Sequence, residues 1–103
     1  MSVLMEFAIF PTDKGDSVSQ YVSKVISMLK SKNLSYQLTP MGTIVEVETM
    51  EEATDLLNRA HQELANDCSR IYCTAKFDIR KGKSNRMHQK IDSIKKKIGD
   101  VNT

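Results

Sequence analysis

The hydrophobic pattern of the chain begins with a nearly continuous apolar run. Residues 3–10 hold one charged side chain, and such a run is typical of a central strand that is covered on both faces. After the segment PTDKGD, apolar residues recur at helical spacing between residues 18 and 29. Ser17 and Gln20 have the spacing of a capping box. The pattern therefore predicts a strand and then a helix over residues 17–32.

Two short alternating segments follow, at residues 35–39 and 43–48. Pro40 and Gly42 separate them, and because proline cannot donate to a ladder and glycine packs nothing, the pattern predicts two strands joined by a turn. The turn is unusual. Hairpin turns generally carry Asn, Asp or Gly, whereas this one also offers the methionine Met41.

The second half of the chain contains two helical stripes and one strictly alternating segment. A capping box, Thr49-x-x-Glu52, precedes a helical stripe at residues 53–64. Residues 71–80 alternate cleanly, which predicts a strand with one dry face. The stripe at residues 87–98 is narrow and lies in an otherwise charged helix, which we expect to dock by one edge.

The element order is β-α-β-β-α-β followed by a helix. This order predicts an α+β, ferredoxin-like domain with an additional C-terminal helix, and residues 1–103 are long enough for one such domain. Strand one should pair with strands three and four, and the first two helices should cover one face of the sheet. The second face should therefore pack against something else.

Charge is distributed unevenly along the chain. Fifteen basic and thirteen acidic residues give a net charge of +2, but residues 76–98 carry nine basic and two acidic residues. Any anion-binding site is therefore expected in the C-terminal quarter, with Arg80 and Lys83 as candidates.

Cys68 and Cys73 form neither a C-x-x-C pair nor a metal set, so we expect a reduced, cytoplasmic protein without metal. The apolar N-terminus is too short to span a membrane.

The predicted topology places the helix start and the turn at the same end of the sheet. Ser17 and Ser19 should lie there beside free helix N–H groups, together with Met41, Gly42 and Thr43. These residues are expected to form a pocket, into which Glu46 would direct its carboxylate. The simpler alternative is that the serines cap the helix, Met41 packs and Thr43 favours the strand. For Glu46 the alternative is a cross-strand ion pair at a subunit interface.

Four segments of the chain occur in the order and spacing of a known family. They are DSVSQYV at the first helix, PMGT followed by Glu46, HQEL late in the second helix, and Arg80 leading to KIDSIKKKI. Over nearly the whole chain these segments resemble the thiamine-binding protein family. The resemblance implies binding of thiamine or its pyrimidine precursor, hydroxymethylpyrimidine, and assembly into a homotetramer, a dimer of dimers through the sheet faces. The chain departs from the family pattern at Val47 and Gly82.

An aminopyrimidine is flat and apolar, with an amino donor and ring-nitrogen acceptors, so it requires a few polar groups and soft packing atoms. Ser19, Thr43 and Glu46 would supply the polar groups, and Met41 the soft contact. No cofactor is expected. The complete set of expected ligand-binding residues is Ser17, Ser19, Thr39, Met41, Gly42, Thr43 and Glu46.

The sequence gives little support to catalysis. His61 has no metal-ligating partner at helical spacing, His88 lies in the charged last helix, and no catalytic triad or glycine-rich phosphate loop occurs. The predicted function is non-catalytic binding. The alternative is an anion- or RNA-binding module that uses the basic C-terminal quarter. The predicted sheet lacks the aromatic platform of RNA-recognition modules, which disfavours nucleic acid.

Overall fold

The computed structural model describes residues 1–103 and contains one antiparallel sheet with the strand order β2-β3-β1-β4. The strands are β1 (Ser2–Pro11), β2 (Ser35–Thr39), β3 (Gly42–Val47) and β4 (Ile71–Arg80). The helices are α1 (Ser19–Ser31), α2 (Met50–Ala65) and α3 (Arg86–Ile98). The ferredoxin-like fold with an additional C-terminal helix is confirmed, as is the pairing of β1 with both β3 and β4.

The core lies between one face of the sheet and the pair α1 and α2. Alternate residues of β1 point into it, and Val3 and Met5 are fully buried there. They pack against Leu29 of α1 and Leu64 of α2. Val47 also belongs to this buried face, so its departure from the family pattern places an apolar side chain in the core.

The opposite side of the sheet, called the open face below, is covered by neither α1 nor α2. It carries the other set of alternating residues, among them Leu4, Glu6, Ala8 and Phe10 of β1 and Tyr72 and Lys76 of β4.

The predicted dry face of β4 is only partly dry, which corrects the sequence expectation. Ile71 and Ala75 pack against the core, but Phe77 is 38% and Ile79 51% exposed. β4 is an outer strand of the sheet, and α2 lies mainly over the central strand β1. Alternation thus identified the apolar side of β4 correctly, and the position of α2 decides how much of it is buried.

Of the two predicted capping boxes, one forms in part and the other does not form. At the start of α2 the Glu52 N–H donates to Thr49 Oγ1 at 3.1 Å, as predicted, while the Glu52 carboxylate accepts from the Glu48 N–H at 3.4 Å and not from Thr49. At α1 the prediction was wrong, because the helix begins at Ser19 after Val18, with no side-chain cap. The Val18 carbonyl accepts from the N–H groups of Tyr21 and Val22, both at 3.0 Å. Ser17 therefore lies outside the helix and is exposed.

The last helix, α3, contacts the sheet through its first turn. Arg86 and Met87 are buried, Ile91 is half-buried, and Ile98 is 72% exposed. The apolar stripe of α3 is therefore buried at the start of the helix and exposed at its end. None of the three helices has both the length and the apolar character that a membrane crossing requires.

Candidate functional site

A cavity of about 270 Å³ lies at the end of the sheet where β1 ends and α1 begins. It is called the end cavity here. Ten of its fourteen lining residues are hydrophobic, and none is charged. They are residues 7–10 of β1, Val18, Val22, Val25 and Ile26 at the start of α1, and residues 38–43 around the β2–β3 turn.

The turn residues proposed from the sequence all line the end cavity. Thr43 is buried, whereas Met41 is 88% exposed at the mouth. The Thr39 hydroxyl donates to the Gly42 carbonyl at 2.8 Å and accepts from the Met41 N–H at 3.3 Å, so it holds the turn together. A Cβ atom on Gly42 would lie 3.0 Å from the Phe7 carbonyl oxygen. Glycine therefore permits the close approach of the turn to β1.

The two serines proposed from the sequence do not line the end cavity. Ser19 lies in an adjacent depression with Val22, Ile26 and Leu38. Ser17 is exposed, and it neither caps α1 nor lines the end cavity. Because α1 begins two residues later than predicted, Ser17 precedes the helix, and Ser19 lies beside the end cavity and not in its wall.

Glu46 also lies away from the end cavity. It is three residues from Thr43, and because side chains alternate along a strand, the two point to opposite faces of the sheet. Glu46 Oε2 accepts from the Ser2 hydroxyl at 2.6 Å and from the Arg86 N–H at 3.0 Å, and Oε1 accepts from the Met87 N–H at 3.1 Å. The carboxylate therefore caps α3 and does not enter the expected pocket.

The environment of Glu46 stabilises its charged form. Burial alone would raise the pKa of this carboxyl, but the hydrogen bonds from Ser2, Arg86 and Met87, together with the Arg86 charge, hold the pKa below its usual range. A carboxylate at a helix N-terminus is also favoured by the helix dipole. The charge is therefore part of the attachment of α3.

Arg86 is a structural residue that the sequence did not single out. It is 9% exposed. Its Nε donates to Ser2 Oγ at 3.1 Å, Nη2 donates to the backbone carbonyls of Ser2 at 2.9 Å and Asp78 at 2.6 Å, and Nη1 lies 3.1 Å from Asp78 Oδ2. Ser2 is 84 residues away and Asp78 belongs to another element, so no local pattern distinguished Arg86 from the neighbouring basic residues.

The loop between β1 and α1 is attached to the two residues that precede β4. Asp13 Oδ2 accepts from the Ser69 N–H at 2.8 Å and from its hydroxyl at 2.7 Å. These hydrogen bonds lower the pKa of Asp13 to about 2. The Thr12 N–H donates to the Arg70 carbonyl at 2.8 Å. The loop leads to Val18, so this attachment positions one wall of the end cavity.

The open face carries an ion pair between two neighbouring strands. Lys76 Nζ lies 2.9 Å from Glu6 Oε1, on neighbouring strands of the same chain. Beside it the rings of Phe10 and Tyr72 have centroids 5.7 Å apart. The face therefore combines a partly exposed ion pair with aromatic surface.

The two residues proposed for anion binding are not brought together. Arg80 lies in a depression with Gln89 and Lys90, whereas Lys83 is in the exposed turn before α3 and does not line that depression. Gly82 has a φ of +73° in the same turn. Any side chain at this position would be strained.

The fold and the end cavity define a class, that of ferredoxin-like α+β proteins with a small, uncharged pocket at one end of the sheet. Within this class, the chain belongs to the thiamine-binding protein family, whose model matches residues 5–95.

Individual relatives agree with this assignment. The UPF0045 protein MJ1052 of Methanocaldococcus jannaschii is 36% identical over 92 residues, which cover 89% of this chain and 91% of the relative. A UPF0045 protein of Methanothermobacter thermautotrophicus is 34% identical over 83 residues, 80% of this chain and 84% of the relative. The crystal structure of MJ1052 superposes with a TM-score of 0.80 at 35% identity, over 90% of this chain and 95% of that one.

A more distant structure from Thermotoga maritima has a TM-score of 0.72 at 18% identity, over 95% of this chain and 96% of that one. At this identity the likeness shows the fold alone.

Proposed function

We propose that this protein binds thiamine or hydroxymethylpyrimidine without catalysing a reaction on it, and that the end cavity receives the pyrimidine ring. The observation that carries the proposal is an uncharged, largely apolar cavity at the turn, in a chain that belongs to the thiamine-binding protein family. Apolar walls with a few polar groups are the usual composition of a small-molecule site.

The size of the end cavity supports the entry of one ring. Pockets for drug-sized ligands usually enclose about 300–1,000 Å³, so a cavity of about 270 Å³ suits a single ring better than a two-ring molecule. The thiazolium ring of thiamine would remain at the mouth, where the exposed Met41 side chain offers a polarisable contact.

We propose that the protein acts as a homotetramer in which open faces pack on one another. Phe10 and Tyr72 present apolar area on this face, while the Glu6–Lys76 pair neutralises its charge within each chain. A face of this composition can be covered by an identical face without leaving an unpaired charge.

Calorimetric titration with thiamine, hydroxymethylpyrimidine and thiamine diphosphate tests the binding proposal. We expect saturable binding of thiamine or of the pyrimidine. Absence of binding by all three at millimolar concentration would refute it.

A further inference from the structure

The two ladders of the central strand end at different places. β1 pairs with β4 over its whole length, from Ser2 to Pro11. Its pairing with β3 stops at Phe7, which lies opposite Thr43. The last residues of β1 therefore have a neighbouring strand on one edge only. The end cavity occupies the place where β3 would have continued.

The direction of the backbone groups in this part of β1 follows from two contacts. A Cβ atom on Gly42 would lie 3.0 Å from the Phe7 carbonyl oxygen and 3.6 Å from its carbon, so this carbonyl points towards β3. The Thr12 N–H donates towards the other edge, to the Arg70 carbonyl at 2.8 Å. In an antiparallel sheet the N–H and C=O of one residue point to the same edge, and successive residues alternate. Both groups of Ile9 therefore point to the β3 edge.

Ile9 has no partner strand on that edge. If the register continued, Met41 would lie opposite it, but Met41 belongs to the turn and its N–H donates to Thr39 Oγ1. No backbone hydrogen bond outside the regular elements involves Ile9. The residue is 6% exposed and lines the end cavity. Buried backbone polar groups are nearly always hydrogen-bonded. The N–H and C=O of Ile9 have no partner strand on this edge, so they are available to a bound molecule.

We infer that the backbone of Ile9 recognises the amino edge of the pyrimidine ring, an inference that rests on the proposed function. A ring nitrogen accepts from the Ile9 N–H, and the adjacent exocyclic amino group donates to the Ile9 carbonyl, so the ring takes the place of the missing strand residue. The ligand class is a neutral, flat heteroaromatic ring with an amino group beside a ring nitrogen. Since no charged side chain lines the end cavity, a phosphate group stays outside it.

Two thiamine analogues test the donor and acceptor pattern. Oxythiamine has an oxo group in place of the amino group and a proton on the adjacent ring nitrogen, so the donor becomes an acceptor and the acceptor becomes a donor. Pyrithiamine keeps the aminopyrimidine and changes the other ring. We expect oxythiamine to bind at least about tenfold more weakly than thiamine, since two hydrogen bonds are lost. Pyrithiamine should bind as thiamine does. Equal affinities for thiamine and oxythiamine would overturn the inference and leave the proposed function standing.

Amide hydrogen exchange followed by NMR tests the position of the contact. Saturation with thiamine should slow exchange of the Ile9 amide, while the Phe7 amide, already in the ladder opposite Thr43, serves as the control. An unchanged Ile9 exchange rate in the complex overturns the inference, whatever the analogue affinities. Failure of thiamine and hydroxymethylpyrimidine to bind at all refutes the proposed function and the inference with it.

Discussion

Glu46 reaches from the central part of the sheet to the first turn of α3, where its Oε2 accepts from the Arg86 N–H at 3.0 Å. The same oxygen accepts from the Ser2 hydroxyl, and Ser2 in turn accepts from the Arg86 guanidinium. One carboxylate and one guanidinium thus attach the last helix to the first strand. This arrangement excludes Glu46 from the end cavity and gives it a structural role.

Glu46→Gln should lower the free energy of unfolding by about 1–3 kcal/mol, because hydrogen bonds to a charged group are replaced by weaker ones and one amide donor faces other donors. Urea denaturation measures the change. Glu48→Gln is the matched control, since Glu48 is exposed and its side chain makes no hydrogen bond. Equal stability of the two variants would contradict the structural role of Glu46.

The contact between Asp13 and Ser69 should make stability depend on pH. The folded pKa of Asp13, about 2, is below the unfolded value, so the carboxylate stabilises the fold above the unfolded pKa and the effect is lost as pH falls through the folded pKa. The difference in Tm between the wild type and Asp13→Ala should be constant above about pH 5 and disappear towards pH 2. Asp16→Ala, in the same exposed loop, is the matched control for the loss of one carboxylate.

Thr43→Val should weaken the binding of thiamine by about fivefold, because a hydroxyl partner in the end cavity is lost and a ligand atom is left unpaired. Ser17→Ala, which changes a hydroxyl outside the cavity, should leave the affinity unchanged. Calorimetry of the three proteins decides between these outcomes. If Thr43→Val binds normally, Thr43 does not contact the ligand.

Lys76→Glu should destabilise the proposed tetramer, because the new carboxylate lies beside Glu6 on the open face. Light scattering should report about four chains for the wild type and a smaller mass for the variant. The exchange of both charges, Glu6→Lys with Lys76→Glu, restores the pair and should restore the mass. A monomeric wild type at micromolar concentration would refute the assembly.

The sequence by itself determined the elements and their order. The alternation at residues 71–80 matches β4 at both ends, and Thr49 caps α2 as its spacing predicted. These predictions were correct because periodicity and capping involve residues only a few positions apart. Alternation also contained a signal that the pocket hypothesis overlooked, since it separates Thr43 and Glu46 to opposite faces.

Tertiary structure alone decided which groups meet. Glu46 and Arg86 are 40 residues apart, and Arg86 and Ser2 are 84 apart, so only the docking of α3 brings them together. The free backbone edge at Ile9 arises because β3 begins at Gly42, too late to pair with the end of β1. Local spacing specifies which residues can form a strand, whereas the place where its neighbour ends depends on the whole sheet.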